Sequence, residues 1–163
     1  MPVYYLETSA LVKKYRTEKG TEVVAELFQH KQESEVFVTS YFTVVEITSV
    51  ATRLLRAGAV TAQAYRVIMG NLARDMREAI QLHSVSDSLL SGATRLTQEY
   101  ALRAPDAIHL ATALGVRAAI GSVLFFLGSD ARLNAACENS GLLVLDPEGA
   151  NALGALRNFR SSG

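Results

Sequence analysis

Hydrophobic positions along this chain follow two alternating patterns. Five short apolar runs, at residues 3–7, 36–39, 80–85, 123–127 and 142–145, are rich in Val, Leu and aromatic residues and read as strands. Their hydrophobicity is continuous rather than alternating, which suits strands covered on both faces, as in a parallel sheet. Between them the spacing turns helical. Residues 43–57 place Val44, Ile47, Val50, Ala51, Leu54 and Leu55 at helical intervals and stop at Gly58, a C-terminal capping residue. Residues 61–78 carry Tyr65, Ile68, Leu72 and Met76 as a stripe, with Arg66, Arg74 and Arg77 at polar positions. Residues 87–101, 105–116, 130–139 and 148–158 add further helices, and another begins just after Glu7. Strand–helix alternation of this kind predicts a three-layer α/β/α fold around a central, mostly parallel sheet. No Gly/Ser linker, repeat or low-complexity tract divides the chain, so residues 1–163 are expected to form one domain.

Composition narrows the function classes. Hydrophobic content of 49% with 20% charged residues is that of a globular protein, not a disordered one. Sixteen basic and sixteen acidic residues cancel, so nucleic-acid binding has to rest on local basic patches rather than a global field. Cys137 is the lone cysteine, which excludes a disulfide framework and a thiolate metal site. No apolar stretch reaches the ~18 residues of a membrane span. The chain enters its first strand without a charged leader, and a cytoplasmic location with no membrane partner is expected.

Four carboxylates sit where one segment gives way to the next. Glu7 closes Val3-Tyr4-Tyr5-Leu6, and Glu46 lies early in the helix after the second strand. Asp106 opens the helix beginning at Pro105, and Asp130 follows the fourth strand. In an open parallel sheet, strand ends and helix starts converge on one edge, where ligands bind. Four carboxylates meeting there cannot all stay ionised without a compensating cation, and oxygen donors select a hard divalent ion. Taken singly, three have structural roles available. Thr43-Val-Val-Glu46 fits a capping box, Asp106 suits a helix dipole and Asp130 an N-cap. Glu7 stands apart, because a carboxylate closing a buried strand needs a partner.

The segments around these acids carry a resemblance. Tyr5-Leu-Glu-Thr-Ser-Ala-Leu-Val-Lys-Lys-Tyr15 and Leu102-Arg-Ala-Pro-Asp-Ala-Ile-His-Leu-Ala-Thr-Ala113 resemble the PIN-domain nucleases, especially the VapC-type toxins. Val45-Glu46 and Ser129-Asp-Ala-Arg-Leu133 extend the match in order and spacing over nearly the whole chain, the Asp106 block being the most specific. The resemblance implies a Mg²⁺- or Mn²⁺-dependent endoribonuclease whose catalytic, metal-holding residues are Glu7, Glu46, Asp106 and Asp130. It implies RNA as substrate and a cognate antitoxin as partner, and it leaves room for a homodimer. Carboxylate-bound metal would activate water and neutralise charge on the scissile phosphate. Thr8, Ser9 and Ser129 are candidates to bind substrate, with helix capping as the competing role for Thr8 and Ser9.

Two positions depart from the family pattern. The family usually has Asp where this chain has Glu7, and the extra methylene moves the carboxylate by roughly 1 Å, enough to harm catalysis. Gly128 stands where Thr or Ser is often found, two residues before the last acid. These departures define the alternative, a catalytically weak PIN domain acting as an RNA-binding or protein-interaction module. A phosphatase-like site would need an Asp nucleophile after the first strand, and Glu7 with no second acid two positions on does not supply it.

Other residues take simpler roles. His109, one turn after Asp106, is expected to pack within its apolar helix, since hard metals do not call for imidazole. Cys137 reads as a buried small hydrophobe, Asp87 as an N-cap and Asp146 as a turn acid. Lys13, Lys14, Arg16, Arg53 and Arg56 are candidate phosphate contacts, set against the ordinary tendency of such residues to face water.

Overall fold

The computed structural model describes residues 1–161. The elements run β1 (Val3–Leu6), α1 (Thr8–Tyr15), α2 (Thr21–Gln29), β2 (Val36–Ser40), α3 (Tyr41–Arg56), α4 (Ala62–Glu78), β3 (Ile80–His83), α5 (Asp87–Tyr100), α6 (Ala104–Ile120), β4 (Leu124–Leu127), α7 (Ala131–Asn139), β5 (Leu143–Leu145) and α8 (Ala152–Ser161). Every strand pairing is parallel, in the order β3-β2-β1-β4-β5. The expected α/β/α fold is what the chain adopts.

The central strand β1 explains the layering. Its four residues are all buried, yet successive side chains point to opposite faces. Tyr4 and Leu6 enter a core built with Val23 and Leu27 of α2, Ile47 of α3, Leu72 of α4 and Leu156 of α8. Val3 and Tyr5 enter the other core, with Ala93 of α5, Leu110 and Ala113 of α6, and Cys137 of α7. The β1–β4 register sets Tyr4 against Phe125 and Tyr5 against Phe126. Both pairs stack, at 5.2 and 5.4 Å between ring centroids, and such pairs add to the area they bury.

Several local expectations change. The segment 21–29, for which the hydrophobic pattern predicts no element, is a helix that buries Val23, Val24 and Leu27. Ser40, not Thr43, caps α3 by accepting from the Phe42 N–H, so the capping box does not form and the Glu46 side chain turns elsewhere. Ser86, rather than Asp87, caps α5, because its hydroxyl reaches the Leu89 N–H. Asp130 does cap α7, accepting from Leu133 N at 2.9 Å, and Asp146 accepts from Glu148 N at 2.8 Å in the turn before α8.

Candidate active site

Chain order 1-2-3 builds one side of the sheet and 4-5 the other, so the winding reverses beside β1. Helices leave β1 and β4 in opposite directions there, opening a crevice at the carboxyl ends of the two strands. Glu7 stands at that point. It follows β1 directly, its N–H bonds Leu127 O of β4 at 2.9 Å, and its side chain caps α1 by accepting from Ser9 N at 2.9 Å. The Ser9 hydroxyl donates to the same Glu7 Oε2, and accepts from Ser129 N at 2.8 Å, tying the ends of β1 and β4 together.

Glu46 arrives from α3 and is held from two sides. Thr8 Oγ1 donates to its Oε1 at 2.6 Å, and His109 Nε2 lies 2.6 Å from the same oxygen. The proton on His109 can be placed by its neighbours. The Tyr5 hydroxyl lies 2.9 Å from His109 Nδ1, and burial pushes its phenol well above the ordinary pKa. Nε2 faces the Glu46 carboxylate, which can only accept, so Nε2 carries a proton and donates to it. Burial disfavours the Glu46 charge, but these hydrogen bonds outweigh it and hold the carboxyl below the usual range. Glu7 goes the other way: burial dominates, and its carboxyl is pushed up despite His109 and Ser9.

Asp106 and Asp130 complete the crevice. Asp106 lies buried in the first turn of α6, beside a proline at the helix start, and Asp130 is half-buried at the head of α7. Arg103 spans them. Its Nε bonds Asp106 Oδ2 at 3.0 Å, and its Nη2 lies 3.6 Å from Asp130 Oδ2. The charge of the same guanidinium also acts on Glu7 and Glu46. The four acids expected from sequence thus form two linked pairs, Glu7 and Glu46 about His109 and Asp106 and Asp130 about Arg103.

The donor set suits a hard divalent cation. Glu7, Glu46 and His109 present ligand atoms within 4.8 Å of one another, although His109 spends its Nε2 proton on Glu46, which leaves oxygen as the donor type. Among the described residues, one exposed arginine is the only Lys or Arg that pairs with Asp106 and Asp130, and none pairs with Glu7 or Glu46. Buried beside them, Ser129 Oγ and Asn134 Oδ1 have no hydrogen-bond partner.

The sequence missed His109 and Arg103. His109 is fully buried, as expected, but it is also a hydrogen-bond donor that fixes Glu46. Its position one turn after Asp106 was the available signal. Thr8 and Ser9, candidates for substrate, have hydroxyls engaged by Glu46 and Glu7. Lys13 is not free for phosphate. It is 2% exposed and pairs with Glu18 and Glu148, both at 2.8 Å, while Lys14 pairs with Asp75. Gly128 explains how the longer acid fits. A Cβ there would stand 2.9 Å from Phe126 Cε1, 3.2 Å from Asn134 Oδ1 and 3.4 Å from Glu7 Oε2. The space denied to a side chain at 128 is shared by the Glu7 arm.

Fold and site together define a class: doubly wound α/β proteins with an acidic crevice at the switch point of the sheet. The particular family is set by comparison. A PIN-domain family model matches residues 4–137, and the chain belongs to the PIN-domain family. It is 33% identical over 143 residues to Ribonuclease VapC35 of Mycobacterium tuberculosis (strain CDC 1551 / Oshkosh), covering 88% of this chain and 96% of that protein. Solved structures share the fold. VapBC2 from Rickettsia felis, bound to a DNA fragment from its promoter, aligns with a TM-score of 0.63 at 9% identity, covering 88% of this chain and 98% of that one. VapC20 of Mycobacterium tuberculosis, a sarcin-ricin-loop-cleaving toxin, gives 0.61 at 17% identity, covering 82% and 94%.

Proposed function

We propose that this chain is a divalent-cation-dependent endoribonuclease and the toxin half of a toxin–antitoxin pair. The observation that supports the reading is a crevice in which Glu7 and Glu46 share His109 while Asp106 and Asp130 share Arg103, in a chain similar to a curated ribonuclease over almost its whole length. Mg²⁺ or Mn²⁺ held there would supply charge against the phosphodiester and activate water for in-line attack.

The chain's own residues do the rest. Glu7 and Asp106, both buried, offer oxygens fixed by strand end and helix start, and Asp130 adds a third at the crevice rim. Glu46 is oriented by Thr8 and His109, and the Tyr5 hydroxyl engages the other ring nitrogen of that imidazole. Buried neighbours on each carboxylate cut the reorganisation a reaction would otherwise require. The acidic crevice also suits capture by a basic segment. An Arg or Lys of an antitoxin set against these carboxylates would make charge-assisted bonds, and several of the similar solved structures are toxin–antitoxin complexes.

Cleavage of labelled RNA in Mn²⁺, in Mg²⁺ and in EDTA tests the reading. Wild type should cut in either metal and not in EDTA. Asp106→Asn should lose at least ~10²-fold of the rate, as expected when a group that stabilises the transition state is removed. Full activity in EDTA would sink the metal assignment. RNA binding with no cleavage in any metal would leave a binding module instead.

A further inference from the structure

Among the described residues, Arg103 is the one Lys or Arg bonded to these acids. It occupies the N-cap position of α6, where a guanidinium, a donor only, makes no capping bond. Its guanidinium instead leans across the crevice mouth, from Asp106 on α6 to Asp130 at the head of α7. The side chain is 72% exposed, so it contributes little to packing, and exposed ion pairs are individually weak. One of its five N–H donors bonds Asp106 at 3.0 Å, and its Nη2 stands off at 3.6 Å from Asp130. A residue needed only to hold two helices together would be buried or doubly bonded, as Arg160 is on Glu35.

We infer that Arg103 is a substrate-binding residue, which rests on Asp106 and Asp130 and passes to a phosphate of the RNA once a divalent cation takes those carboxylates. The inference rests on the reading of this crevice as a cation-dependent ribonuclease site. The physical reason is competition for the same oxygens. Asp106 and Asp130 can neutralise either the guanidinium or the incoming ion fully, not both, and a divalent ion is the stronger claimant. Displaced, the guanidinium remains tethered at the mouth by a backbone fixed at the α6 start. There it offers a planar fork that matches phosphate geometry. Both ends of the exchange balance in charge: carboxylate to cation, guanidinium to phosphate.

Titration calorimetry with Mn²⁺ alone, paired with anisotropy of a fluorescent short single-stranded RNA, tests this on wild type, Arg103→Ala and Arg103→Lys. Arg103→Ala should bind Mn²⁺ about 2- to 5-fold more tightly, because a competing exposed ion pair is gone. It should bind RNA roughly 10-fold more weakly, because a charge-assisted phosphate contact is gone. Arg103→Lys should restore wild-type Mn²⁺ affinity but only part of the RNA affinity, since a point charge replaces the fork. Arg103→Ala that binds Mn²⁺ no tighter, or RNA no weaker, overturns the inference. Asp106→Asn in the same titration separates the two levels. If it abolishes Mn²⁺ binding while Arg103→Ala changes nothing, the carboxylate site stands and the role of Arg103 falls. A wild type that takes up no Mn²⁺ overturns both.

Discussion

Glu7 and Gly128 belong together. A glutamate in place of aspartate reaches further from β1, and the structure meets that reach with a residue that has no side chain at the end of β4. Gly128→Ser is therefore expected to destabilise the fold by ~1–3 kcal/mol, the usual cost of overpacking a closed core. Its Cβ would press on Phe126, which is fully buried and has nowhere to move. Glu7→Asp in the same chain should return part of that loss by withdrawing Oε2, although the Phe126 contact stays. Urea unfolding of the two single variants and the double variant reads this coupling, and strict additivity would show that the two positions do not share space. At this scale the sequence was an uneven guide. Acids at segment junctions could be picked out by position alone, and the structure sets Glu7 and Glu46 on His109 and Asp106 and Asp130 on Arg103. His109 and Arg103 could not, since a histidine in an apolar helix and an arginine before a helix look ordinary until the partners across the fold are known.

Elements bring a second buried charge into play. Arg160 of α8 forks onto Glu35, at 2.8 Å through Nε and 2.9 Å through Nη2, and also caps α2 through Leu27 O at 2.8 Å and Glu26 O at 3.3 Å. Tyr4 donates to the same carboxylate at 3.1 Å, and burial with the Glu35 charge pushes its phenol to about 12. Arg160→Met should cost about 3–5 kcal/mol, because it strands a buried carboxylate rather than removing a pair. Thermal or chemical unfolding checks this, and a loss below ~1 kcal/mol would mean that water reaches Glu35 readily. The helix that Arg160 caps is the one the sequence reading passed over. α2 has nine residues and starts at Gly20 in the left-handed conformation, with no side-chain cap. Gly20 is required there, since a Cβ would meet Pro147 O at 2.6 Å. Val23, Val24 and Leu27 did carry a helical spacing, but the missing cap hid its start.

For the whole molecule, Glu35 also predicts a response to acid. Burial opposes its charge, but the Arg160 fork, the Gln32 N–H and Tyr4 prevail and hold the carboxyl below the ordinary glutamate value, ~4.3. A lowered folded pKa contributes stability that is complete above the unfolded value and is lost as pH falls through the folded one. Glu35→Gln should accordingly be less stable than wild type near neutrality, with a gap that narrows as the pH drops below ~4. Denaturation midpoints across that range measure it, and a constant gap would mean that the carboxylate charge is not its source. The layered architecture itself was legible, because uninterrupted apolar strands have few other places to go than the middle of a parallel sheet. The caps of α3 and α5 were not, unlike that of α7, since Ser40 and Ser86 compete with Thr43 and Asp87 as neighbours of the same type.

The strand order has a consequence for synthesis. β1 is made first, yet its flank is completed only by β4, and Tyr5 meets His109 across 104 positions of chain. Such long-range closure is slow and late, because the entropy of joining distant segments is lost before contacts repay it. A chain still emerging, or one cut short before the fourth strand, holds Glu7 and Glu46 with neither Asp130 nor the strand end that positions Glu7. Fragments that end before Leu124 are therefore expected to cleave no RNA, which an assay of such fragments would check. On that expectation, the timing of synthesis itself guards the site, since most of the chain has to leave the ribosome before its carboxylates can be held in place.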